Sequence, residues 1–139
     1  MFCIGLDPGK NTGVAIWDTK VQAFVYLDTM PIHKALEFVK TFVDGTSRVY
    51  FEDARQRQYL PRERNASEYR GKLMGAGSVK RDSVIWQDAL TDWGIPFTMV
   101  PPRAGATKWT ADTFRRITGY TGRTSNHARD AALLVYGMK

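Results

Sequence analysis

The chain has 139 residues, 43% of them hydrophobic and 12% aromatic, which is enough apolar material for one sizeable core. This predicts a single domain over residues 1–139 and excludes a disordered chain. Twenty Lys and Arg against 14 Asp and Glu leave a net charge of +6, a positive field that suits a polyanionic partner. Cys3 is the one cysteine, so no internal disulfide or thiolate zinc site can form, and a reducing compartment is expected. The opening MFCIGLDPGK lacks the basic and apolar regions of a signal peptide, and no stretch approaches the ~20 apolar residues of a membrane span. A cytoplasmic protein without a membrane partner is the expectation.

Residues 2–6 are apolar and strand-like, Pro8-Gly9 and Thr12-Gly13 read as turn punctuation, and residues 14–17 resume the apolar run, which predicts a hairpin. A third strand is expected over 21–27, with Val21, Ala23, Val25 and Leu27 on one face. Pro31 suits the first turn of a helix in which Ile32, Ala35, Leu36, Val39, Phe42 and Val43 recur at helical spacing, ending near Asp44-Gly45. Residues 48–52 (RVYFE) read as a central strand carrying acid at its C-terminal end. Residues 54–77, with Pro61, Gly71, Gly75 and Gly77, read as a long loop with one helical turn near 66–73. Ser78 is the expected cap of a helix reaching Trp93, with an apolar stripe of Val79, Trp86, Leu90 and Trp93, and Gly94 stops it. A last strand at 96–100 precedes a short helix at 111–118 capped by Thr110. A final helix runs from Asn126 to about Tyr136, capped by Ser125. This order predicts an α/β fold with one mixed five-stranded sheet, its three antiparallel strands first, flanked by helices.

Four residues carry the chemistry: Asp7 at the end of the first strand, Glu52 at the end of the fourth, and His127 with Asp130 on the last helix. The latter two are three apart and project from one helix face. If strands one and four are neighbours, Asp7 and Glu52 lie side by side, and like charges that close call for a cation. Oxygen donors with one imidazole fit magnesium or manganese better than a calcium cage or a thiolate zinc site. Taken singly each residue has an ordinary reading, as a turn aspartate, a solvated strand end or a helix-dipole partner. Their joint placement at matched ends is what points to a site.

The segments IGLDPGKNTGVAIWD, VYFED and SNHARDAALLVYG resemble, in sequence, order and spacing, the RuvC-type Holliday junction resolvases of the ribonuclease H-like nuclease superfamily. The short chain looks like phage-encoded versions, which would act in a bacterial host's cytoplasm. LDPGKNTG alone also resembles the phosphate hairpin of sugar kinases and actin-like ATPases, but those folds need two such domains. The resemblance implies a ribonuclease H-like sheet and two divalent ions, Mg2+ with Mn2+ as a substitute, held by Asp7, Glu52, His127 and Asp130. It also implies a Lys near the scissile phosphate, here Lys108 of PPRAGATKW, against the alternative of a solvent lysine. His127 is either a direct ligand or a group that positions water or protonates the leaving group.

Basic residues flank these positions. Arg55, Arg57, Arg62, Arg64, Arg70, Lys72, Lys80 and Arg81 stand against only Glu63 and Glu68, and Arg103, Lys108, Arg115, Arg116, Arg123 and Arg129 against Asp112. Such stretches would hold a phosphate backbone over the metal residues. Tyr59, Tyr69 and Trp109 are candidates for stacking on unpaired bases, with half-buried packing as the commoner role. Many cellular family members carry an aromatic three residues after the fourth-strand acid, where this chain has Arg55. The expected activity is a Mg-dependent crossover junction endodeoxyribonuclease that cuts four-way DNA junctions by paired symmetric nicks, leaving 5′-phosphate and 3′-hydroxyl ends. Paired nicks imply a homodimer, for which Ile85 and Ala89 offer a second, weakly apolar face on the long helix. A broader branched-DNA or flap nuclease and a non-catalytic nucleic-acid binding module are the alternatives.

Overall fold

A computed structural model describes residues 1–56, 66–102 and 108–139, with residues 66–76 described by backbone alone. Strands β1 (Phe2–Asp7), β2 (Asn11–Asp18) and β3 (Ala23–Pro31) form an antiparallel meander. The helix α1 (Ile32–Phe42) follows, and then β4 (Arg48–Glu52) and β5 (Phe97–Val100) join in parallel beyond β1. The sheet order is β3-β2-β1-β4-β5, the mixed arrangement expected from the element sequence. Helices α2 (Ala66–Asp92), α3 (Ala111–Thr118) and α4 (Asn126–Leu133) complete the described chain.

Strand alternation builds two cores. Ile4, Leu6, Val14, Ile16, Val49 and Phe51 point to one face, where they meet Ala35 and Val39 of α1 and Trp86 and Leu90 of α2. Cys3, Ala15 and Trp17 point to the other, against Ala128, Ala131, Ala132 and Val135 at the C-terminal end of the chain and Phe114 of α3. Burying a large apolar side chain is worth about 1.5–3 kcal/mol, so the two faces together fix which side of the sheet each helix occupies.

The ends of several elements follow the local chemistry expected of them. Thr110 and Ser125 accept hydrogen bonds from Thr113 N–H and Ala128 N–H and cap α3 and α4. Gly94, at φ 67°, ends α2, and Ile95 N–H reaches Leu90 O at 3.0 Å, a Schellman closure.

Three expectations are corrected. The third strand begins at Ala23 and runs to Pro31, and a register shift at Ile16/Trp17 sets Tyr26 opposite Ile16 but Phe24 opposite Trp17. Val25 is therefore an extra, exposed bulge residue, and the buried positions become Phe24 and Leu27 instead of one alternating row. Next, α2 starts at Ala66 and not after Ser78. Each glycine costs a helix only about 1 kcal/mol against alanine, and a helix held by buried Trp86 and Leu90 propagates through Gly71, Gly75 and Gly77 at one hydrogen bond per residue. Val79, assigned to the apolar stripe, is exposed. Finally, α4 ends at Leu133, and tighter bonds such as Leu134 N–H to Ala131 O carry the chain toward Gly137, at φ 78°. Among the described residues no helix is long and apolar enough to cross a membrane.

Candidate metal centre

Leu6 of β1 lies opposite Phe51 of β4 in the parallel ladder, so Asp7 and Glu52 are the next residues on neighbouring strands. Leu6 and Phe51 are buried on the α1/α2 face; alternation turns the following pair toward the face that α4 covers. The N-terminal turn of α4 brings His127 there, and its Nδ1 lies 2.9 Å from Asp7 Oδ2. One turn on, Asp130 Oδ2 accepts from Lys108 Nζ at 3.1 Å.

Two glycines let the helix come this close. A Cβ at Gly13 would stand 2.0 Å from His127 O, and one at Gly5 would stand 2.1 Å from Ala131 O. With Ala128, Ala131 and Ala132 facing the sheet, the approach is backbone to backbone. Thr12-Gly13, read as turn punctuation, instead belongs to β2. The turn is closed earlier, where Thr12 Oγ1 donates to Gly9 O at 2.8 Å. Gly13 is required by the helix above it and not by the turn.

Burial pushes the Asp7 carboxyl up from its ordinary value and the charge of Asp130 adds to the rise, while the His127 hydrogen bond and the Lys108 charge oppose it. With Asp7 ionised, His127 Nδ1–H donates to Oδ2, which leaves the lone pair of a neutral ring on Nε2. Hard oxygen donors with one imidazole fit a divalent magnesium or manganese ion. The residues for such an ion would be Asp7, Glu52, His127 and Asp130. Among the described residues, no three His, Cys, Asp or Glu side chains already stand together as a metal-holding group; Asp7 pairs with His127 and Asp130 with Lys108.

The basic residues divide. Lys108, Arg81, Arg115, Arg116 and Arg123 are exposed, and Lys80 is half-buried. Arg57, Arg62, Arg64, Arg103 and Tyr59 lie outside the described residues, as do the side chains of Tyr69, Arg70 and Lys72. Arg129, grouped by sequence with the basic surface, is buried: its Nε donates to Trp109 O at 3.0 Å and its Nη1 to Thr124 O at 2.9 Å and Thr124 Oγ1 at 2.8 Å. With a further bond to Asn126 Oδ1, its donors are satisfied inside the protein, where it ties the Lys108 segment to the start of α4. Trp109 packs against Phe114 and Tyr136, as a half-buried core aromatic does. Arg55 is bound to Asp53 at 2.8 Å and to Gln87 at 2.6 Å.

Three features around the centre were not read from the sequence: the close approaches at Gly5 and Gly13, the inward Arg129, and the buried Asp53. Burial raises the Asp53 carboxyl, but hydrogen bonds from Arg55 and Gln56 outweigh it and hold the group below its usual value. The one signal in the sequence was Asp-x-Arg after a strand, which is compatible with a local Asx turn.

No protein-family model and no curated protein matches the chain. Among solved structures, T. thermophilus RuvC in complex with Holliday junction substrate is similar, with a TM-score of 0.57 and 18% identity over 96% of this chain and 90% of that chain. The fold is therefore ribonuclease H-like, and the mixed five-stranded sheet with flanking helices is consistent with it.

Proposed function

We propose that this chain is a metal-dependent, structure-selective DNA endonuclease that resolves four-way junctions by paired symmetric nicks. The observation that carries the reading is the convergence of Asp7, at the end of β1, with His127 and Asp130 of α4, on a sheet shared with a protein solved on a Holliday junction. Two divalent ions, when bound, would supply activation of the attacking water and stabilisation of the leaving 3′ oxygen. Asp7, Glu52 and Asp130 supply the anionic donors, and the products carry 5′-phosphate and 3′-hydroxyl ends. His127 accepts or delivers a proton at Nε2 while Asp7 holds the ring through Nδ1. Lys108, exposed except for its Asp130 partner, turns its ammonium to the scissile phosphate. Arg115, Arg116, Lys80 and Arg81 neutralise flanking phosphates, and a homodimer matches the twofold symmetry of the substrate.

A second reading, a broader branched-DNA or flap nuclease, is favoured by Arg55 standing where an aromatic would unstack the junction centre, with its guanidinium held by Asp53. One gel separates the two. End-labelled four-way junction, three-way junction, flap and linear duplex are incubated with Mg2+ and either wild type or Asp7→Asn. Symmetric nicks in the four-way junction alone, absent with Asp7→Asn, are expected. Equal cutting of flaps selects the second reading, and binding without metal-dependent cutting leaves a binding module.

A further inference from the structure

We propose that Arg55 is a positioning residue for Glu52, acting through a clamp with Asp53 and Gln87; the role of Glu52 rests on the nuclease reading above. Glu52 is the last residue of β4, opposite Val100 of β5. On its N-terminal side the chain is locked by Phe51, fully buried in the core. On its C-terminal side, Asp53 N–H donates to Val100 O at 2.8 Å, and its carboxylate, only 3% exposed with the rest of the residue, gathers the turn that follows. Oδ1 accepts from Arg55 N–H at 3.1 Å and from Arg55 Nε at 2.8 Å; Oδ2 accepts from Arg55 Nη2 at 3.2 Å and from Gln56 Nε2 at 3.4 Å.

The guanidinium then reaches beyond its own turn. Nη2 also donates to Gln87 Oε1 at 2.6 Å and lies 3.3 Å from Met99 Sδ. Gln87 follows Trp86, which anchors α2 in the core, and Met99 is on β5. One planar group thus joins the exit of β4 to α2 and β5, a fork geometry that arginine makes and lysine cannot. Nε and Nη2, one of the two edges by which a guanidinium can grip a phosphate, are already spent on Asp53 and Gln87. A DNA contact by that edge would have to break the clamp, whereas keeping it holds Glu52 between two fixed neighbours.

The test uses the full chain as wild type, Arg55→Ala, Arg55→Lys, Gln87→Ala, Glu52→Gln and the Glu52→Gln/Arg55→Ala double variant. Mn2+ binding is measured by calorimetry without DNA, and junction cleavage gives kcat and KM with the salt dependence of binding. A displaced supporting residue typically costs about 10–100-fold in metal affinity or activity. Arg55→Ala and Arg55→Lys are both expected to lower Mn2+ affinity and kcat by about that much with KM and salt slope unchanged, and Gln87→Ala to act in the same direction more weakly. In the Glu52→Gln background, Arg55→Ala should add no further loss of Mn2+ affinity. Retained kcat with a shallower salt slope, or full activity in Arg55→Lys, would overturn the clamp, because a phosphate contact needs only the charge. If wild type cuts no branched DNA the nuclease reading fails and the Mn2+ titrations decide the clamp by themselves; no Mn2+ binding by wild type overturns it too. Should Arg55→Ala fold poorly, Gln87→Ala carries the same test with the ion pair to Asp53 intact.

Discussion

Adding one methyl group at Gly13 should separate the two halves of the candidate centre. The new Cβ would meet His127 O at 2.0 Å and His127 C at 2.4 Å, and both are backbone atoms, so no side-chain rotation relieves them. A carbon settles against a carbonyl oxygen at about 3.3 Å, so α4 must withdraw by roughly 1.3 Å at its first turn. The Asp7–His127 hydrogen bond of 2.9 Å would then stretch to roughly 4 Å, outside hydrogen-bond range. A displacement of that size costs on the order of 100-fold in rate, and overpacking costs about 1–3 kcal/mol in stability, or roughly 4–12 °C in Tm for a chain of this size. Single-turnover cleavage of a four-way junction and a thermal melt read the two effects. Gly77→Ala is the control: a Cβ there meets nothing within 4 Å, and alanine should stabilise α2 by about 1 kcal/mol. Gly13→Ala that cuts within threefold of wild type at an unchanged Tm would refute the claim that this glycine sets the helix position.

Asp130→Asn should abolish metal-dependent cleavage and leave junction binding equal or tighter, since a negative charge near phosphate is removed; a gel-shift and a cleavage gel on the same preparation check it, and unchanged cutting would remove Asp130 from the centre. Because burial and Asp130 raise the Asp7 carboxyl, the folded state holds the proton of Asp7 more tightly than the unfolded state does. That contribution to stability is full below the unfolded pKa and is lost as pH rises through the raised folded value. Asp7→Asn should accordingly melt at or above wild type at neutral pH in chelator, with the advantage fading in acid, and a lower Tm at neutral pH would contradict the sign. Asp44 has the opposite sense: hydrogen bonds from Thr46 and Ser47 pull its carboxyl down to about 2, so its contribution is present above pH 3.8 and is lost as pH falls toward 2, and Asp44→Ala should flatten the acid limb of a pH–Tm curve in that window. Replacing Arg115 and Arg116 with Ala should weaken junction binding and lower the salt slope by about one for each phosphate no longer neutralised; an unchanged slope would take the end of α3 out of the interface.

The apolar run of β1, the helical spacing in α1, the caps Thr110 and Ser125 and the stop at Gly94 are local chemistry, so the sequence by itself determined most elements and their order. It also determined that Asp7 and Glu52 fall at strand ends and that His127 and Asp130 lie three apart on the last helix, because strand and helix ends are marked by turn residues and caps. Long-range pairing decided the rest. The bulge at Val25 comes from the register of β3 on β2, and α2 runs through its glycines because residues farther along it are buried. Arg129 looks like any other arginine in a basic stretch until the turn before α4 and the segment before α3 offer it the Thr124 and Trp109 carbonyls. Gly13 likewise resembles a turn residue until a helix more than a hundred residues later rests its His127 carbonyl on it. Side-chain type and spacing are written in the chain, but the partner that satisfies a buried charge or presses on a glycine comes from distant sequence, and only the packed structure names it.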